Sequence, residues 1–114
     1  MIAVIFEVCP HAQAKEEYLA IAASLGASLA HIDGFISIER FQSLKQPDKI
    51  LSLSFWRDED AVHHWRNTQE HRAAQSQGRA TIFADYRLRI ATVIRDYGLV
   101  EREQAPPDSR AAHG

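Results

Sequence analysis

The strands legible in this chain are apolar on both faces, and that constrains its fold more than any other feature. Ile2–Val8 places Ile2, Val4, Phe6 and Val8 on one side and Ala3 and Ile5 on the other. Ile50–Trp56 sets Leu51, Leu53 and Phe55 against Ile50, Ser52, Ser54 and Trp56. Successive side chains of a strand point to opposite faces, so a sheet with one wet face reads as apolar–polar alternation. These segments do not read that way. Each face of the sheet needs a cover.

One cover is helical. Ala14–Ala30 repeats Tyr18, Ile21, Leu25 and Leu29 on one face, the pattern of an amphipathic helix. The Asp33-Gly34 pair turns the chain into a second strand, Phe35–Phe41, and Gln46-Pro47-Asp48-Lys49 links this to the third at Ile50–Trp56. A broken helical region over Asp58–Gln77 is expected to stop at Gly78, and Tyr86–Tyr97 reads as a long last strand. The order βαββαβ predicts an α+β, ferredoxin-like antiparallel sheet with both helices on one face. The other face is then covered most economically by a second copy related by a two-fold. A last strand of twelve residues, at about 3.3 Å each, could reach that copy. After Gly98 periodicity is lost, so the expectation is a domain over 1–98 and a C-terminal tail over 99–114, with Ala105-Pro106-Pro107 in the tail.

Composition narrows the function classes. At 114 residues the chain holds one domain, and a formal charge of -2 without a basic stripe gives no footprint for nucleic acid. Cys9 is the single cysteine, which excludes an internal disulfide and a cysteine-based zinc site. It precedes Pro10 at a strand end and reads as a small apolar filler. No apolar run approaches a membrane span, and MIAVIFEV lacks a basic leader, so a cytoplasmic protein is expected.

The candidate site lies in Trp56–Arg79. Asp58, Glu59 and Asp60 put acidic charge at a helix start, where the dipole favours it, and Asn67 with Glu70 is a second N-cap signal in the same stretch. On one straight helix, residues six apart diverge by about 120°. A break near Asn67 would let Trp65 and His71 turn toward one cleft. His63 and His64 are adjacent and point apart, so they do not chelate a metal from one helix face. His31 closes the first helix, where an imidazolium suits the dipole. Arg87, Arg89 and Arg95 share one parity of the last strand, opposite Leu88, Ile90 and Ile94. Glu39 and Arg40 alternate on the second strand, so one of them faces inward, and Glu7 is expected to point out.

With this order in hand, the chain resembles the antibiotic biosynthesis monooxygenase domain family, whose members form dimeric α+β barrels. The likeness is carried by MIAVIFEV, the Gly34-Phe35 turn, SFWRDEDAVHHW, and HRAAQSQGR followed by Tyr86–Gly98. A tryptophan of the second helix with a polar residue six positions on fits Trp65 and His71. The resemblance implies a homodimer and cofactor-independent oxygenation of a small aromatic or apolar substrate, with His71 as acid/base group and Trp65 as wall. Phe6, Arg40, Arg89 and Gln75 are the expected substrate contacts, with Arg40 or Arg89 holding the anion. Heme-degrading relatives are similar in using an asparagine on the first strand and a histidine nine or ten residues after the tryptophan. Here those two positions are Ala74 and Gln75, and the first strand has no asparagine. The alternatives are a non-catalytic domain whose cleft holds a small molecule or heme, and a heme-degrading monooxygenase with an altered site.

Overall fold

The computed structural model describes residues 1–114. Its four-stranded antiparallel sheet runs β2-β3-β1-β4, with β1 at Ile2–Pro10, β2 at Phe35–Gln42, β3 at Ile50–Trp56 and β4 at Phe83–Thr92. Helix α1 covers Lys15–Leu29, α2 Glu59–Arg66 and α3 Gln69–Gln77. The α+β, ferredoxin-like order expected from the sequence is the order found.

Register settles which residues share a face. Phe6 lies between Ser52 of β3 and Leu88 of β4, and Ser52 in turn faces Arg40 of β2. The adjacent row joins Ile38, Ser54, Val4 and Ile90. Both rows lie on the helix-covered face. On the other face, Ile5 sits between Leu53 and Arg89, and Ala3 between Phe55 and Ala91.

The helix-covered side holds two small cores rather than one. Ile2, Val4, Leu29, Trp56, Ala61 and Val62 form the first. Val8, Ala14, Tyr18, Ala22, Ile50 and Ile82 form the second. Trp56 is fully buried, set edge-on to Phe35 at 5.2 Å and stacked on Trp65 at 4.9 Å. Its indole Nε1 donates to Ser54 Oγ at 2.9 Å, which satisfies the one polar atom of that ring.

The corner leading into α2 is fixed by local chemistry. Gly34 has φ +89°, and a Cβ there would lie 2.6 Å from Ala61 Cβ, so the turn against α2 requires glycine. The Arg57 guanidinium grips Asp33 at 3.0 Å and Asp58 at 3.0 Å. Asp58 also caps α2, accepting from the Ala61 N–H at 2.9 Å. These bonds hold the Asp33 and Asp58 carboxyls below the usual carboxylate range.

Two expectations are corrected. The last strand spans Phe83–Thr92 rather than Tyr86–Tyr97. Its partner β1 runs out at Ile2, where Val93 N–H makes a closing bond to the Met1 carbonyl, so no ladder remains for Ile94 onward. Helix α3 ends at Gln77 with Gly78 as its C-cap, as expected, and the chain continues as a π-helical turn over Gly78–Ile82. A Cβ at Gly78 would run into the Phe83 ring. The N-cap of α3 is Thr68, not Asn67. Thr68 has the extended backbone an N-cap requires (φ -67°, ψ 149°), whereas Asn67 (φ -98°, ψ 6°) closes α2. Within the stretch after Gly98, Pro107–His113 forms a helix, α4. Arg102 ties it back by donating to Ser109 Oγ and to the Gly98 and Gly114 carbonyls.

Candidate active site

Between the two cores lies an open cleft of about 140 Å³, close to the engineered cavities known to admit one benzene ring. Its floor is the middle of the sheet. Ser52 and Ser54 are why space exists there: they stand on the same parity as Ile50 and Trp56, so two small side chains interrupt an otherwise bulky row. Tyr18, Ile21, Leu25 and Leu29 of α1 form the roof, as the periodicity of that helix predicts.

The break between α2 and α3 brings Trp65 and His71 together, with ring centroids 4.3 Å apart. One hydroxyl holds the two sides of the break. Thr68 Oγ1 donates to the Trp65 carbonyl at 2.8 Å and accepts from the His71 N–H at 3.3 Å. Asn67 reinforces the joint by donating from Nδ2 to the His63 carbonyl at 2.8 Å and accepting from Arg72.

His71 is partly buried, and its Nδ1 is shielded from solvent without a hydrogen-bond partner. Burial lowers its pKa, and the positive charges of Arg72 and Arg66 lower it further. Both effects favour the neutral form of the imidazole. The folded state disfavours protonation of His71, so this group's contribution to stability is present above the unperturbed value of 6.5 and is lost as pH falls through the lowered native value. Urea-unfolding midpoints followed from about pH 8 to about pH 5 should fall below neutrality, and His71→Gln should remove part of that slope. The depressed carboxyls of Glu7, Asp33 and Asp58 act in a separate, more acidic window, below their ordinary values near 4. If wild type and His71→Gln show the same slope between these limits, the lowered pKa is wrong.

Of the expected substrate contacts, Phe6, Arg40 and Gln75 line the cleft beside Trp65 and His71. Arg89 does not. The register puts it opposite Ile5 on the helix-free face, where it pairs with Glu7 at 2.9 Å. The role suggested for Arg89 as an anion holder is withdrawn on that ground. Glu7 points out, as expected. Tyr18, Ser52, Ser54 and Arg66 also line the cleft and were not singled out from the sequence, although parity with Trp56 was an available signal for the two serines.

Heme does not suit this lining. The positions nine and ten after Trp65 are Ala74 and Gln75, cleft residues that supply no imidazole. A cleft of about 140 Å³ is also well below the roughly 300–1,000 Å³ of sites for larger ligands. No three His, Cys, Asp or Glu side chains gather closely enough to hold a metal ion. No helix is long and apolar enough to cross a membrane.

The family model for antibiotic biosynthesis monooxygenase matches residues 1–77, and the chain belongs to that family. Among curated relatives, the protein named jasmonate monooxygenase ABM from Pyricularia oryzae is 50% identical over 93 residues, covering 82% of this chain and 43% of that protein. The chain therefore spans less than half the length of that relative. Among solved structures, Rv0793 from Mycobacterium tuberculosis superposes with a TM-score of 0.77 at 14% identity, covering 85% of this chain and 98% of that one. A mutant of SnoaB from Streptomyces nogalater, described as a cofactor-independent oxygenase, gives 0.72 at 16% identity, covering 83% and 94%. At these identities the structures attest the fold alone.

Proposed function

We propose that the protein is a cofactor-independent monooxygenase acting on a small aromatic or apolar substrate. The observation that carries this reading is a partly buried imidazole with its ring 4.3 Å from an indole on the wall of an apolar cleft, where burial lowers its pKa. Family membership supports oxygen chemistry, as does the name of the Pyricularia relative.

In the proposed reaction, His71 takes the proton from a phenolic hydroxyl, a role suited to a neutral imidazole at physiological pH. Trp65 and Phe6 hold the ring, and the cleft keeps the electron-rich anion oriented toward oxygen. A ring carbon of the anion forms a bond to O₂, and the resulting peroxide takes a proton back from the imidazolium. Loss of water across the C–H and O–OH bonds leaves a quinone. The substrate supplies all four electrons that reduce O₂, one oxygen atom staying in the product and one leaving in water. The test is oxygen uptake with a panel of one-ring phenols. Protein-dependent uptake with quinone formation is expected, and no uptake across the panel would overturn the reading.

The helix-free face bears on assembly. Ile5, Leu51, Leu53 and Phe55 are only half-buried there in a single chain, and Phe41 is 43% exposed. We propose that a second copy covers this face, giving the dimeric barrel implied by the apolar parity of β1 and β3. The mutually satisfied Arg89–Glu7 pair is compatible with such burial, because neither charge is left alone. Light scattering after size exclusion should give a dimer for the wild type and a monomer for Leu53→Asp at micromolar concentration. A wild-type monomer would refute the assembly.

A further inference from the structure

The cleft carries positive charge with nothing to balance it. Arg40 and Arg66 line it, and no Asp or Glu does. Arg40 is the telling residue. It rises from β2 into the floor of the cleft, is half-buried, and its Nε is shielded from solvent without a hydrogen-bond partner. The ion pairs of the chain lie elsewhere, at Arg57 with Asp33 and Asp58 and at Arg89 with Glu7. Arg40 faces Ser52 across the sheet and reaches the Tyr18 phenol, whose pKa is raised by burial while the guanidinium, through its charge and a hydrogen bond, pulls it down. A guanidinium whose Nε is shielded from solvent with no partner and no counter-charge leaves a donor unmet, which costs free energy unless a ligand completes it.

Its position separates this charge from the imidazole end of the cleft. Arg40 stands on the row of Ser52, while Trp65 stacks over Trp56, four residues further along β3 or about 13 Å of strand. We infer that the substrate is an amphipathic carboxylate, its carboxyl group held by Arg40 and its one-ring apolar body extending beneath α1 toward Trp65 and His71. The guanidinium fork matches a carboxylate through paired N–H donors, and the cleft volume suits one ring with a short chain. The inference rests on the cleft being the substrate site and deepens that reading. Arg40 then anchors the end of the molecule remote from the reacting oxygen.

The test is calorimetric binding of 3-phenylpropanoate, its methyl ester and a one-ring phenolate to the full chain. The acid should bind about ten- to a hundredfold more tightly than the ester, the range expected of hydrogen bonds to a charged group. Arg40→Met should bring the two affinities together by weakening the acid alone, and Arg40→Lys should retain part of the preference. Leu44→Ala, at a fully exposed position away from the cleft, should leave the preference intact. Equal binding of acid and ester to the wild type, failure of the acid to bind, or a preference that survives Arg40→Met in a folded variant would each overturn the inference. Binding of the phenolate but not the acid, with the same dependence on Arg40, would overturn it too and assign the guanidinium to the reacting oxygen. Oxygen uptake is not the readout, so this inference and the oxygenase reading can fail separately.

Discussion

Replacing His71 by alanine should lower kcat for oxygen uptake by about a hundred- to ten-thousandfold, the range of a lost acid–base group. Substrate affinity should change far less. The imidazole supplies proton transfer in the proposed reaction, whereas Phe6, Trp65 and the roof of α1 supply most of the apolar contact. His71 is only partly buried, and Thr68 Oγ1 accepts from its backbone N–H, which alanine keeps, so the α2–α3 joint should survive. A split between kcat and binding is therefore the signature. If alanine leaves kcat unchanged while a phenol is turned over, His71 is a wall residue and the base lies elsewhere.

Trp56→Ala should cost about 3–5 kcal/mol of stability, the usual penalty for emptying a large aromatic site in a core. In a chain of this size that corresponds to a fall in Tm on the order of 10–20 °C. Trp56 has no exposed surface, stacks on Trp65, and meets Phe35 edge-on. Its removal also leaves the Ser54 hydroxyl without the indole N–H and strips the support beneath Trp65. Leu44→Ala is the control: Leu44 is wholly exposed and should lie within about 0.5 kcal/mol of wild type by thermal melting. A small shift for Trp56→Ala would mean that the first core collapses readily around the vacancy.

The parity of β1 and β3 was the most legible part of the sequence, because a period of two needs only local information. It placed Ile2, Val4, Phe6 and Val8 on one face, where three of them are buried and Phe6 lines the cleft. It also contained a signal that went unread: serines at 52 and 54, on the parity of Ile50 and Trp56, mark a place where a covered face has room. The Trp65–His71 approach was legible as a broken helix, but the cap was placed one residue early. Asn67 with Glu70 satisfies the capping-box pattern, whereas Thr68 is followed three residues later by His71 and does not. Backbone conformation, not the box, selected Thr68. The end of β4 and the position of Arg89 were not legible. Both depend on which residue of β1 lies opposite, a contact spanning more than eighty positions that no local period encodes.

Placing the cavity between two separate clusters has an evolutionary consequence. A site carved out of a single core cannot be reshaped without weakening what holds the chain together. Here Ser52, Gln75 and Leu88 border the ligand space while belonging to neither cluster, so they can be exchanged among larger and smaller side chains at little expense to the scaffold. Divergence in substrate preference should accumulate at such positions first, with the flanking clusters left almost untouched.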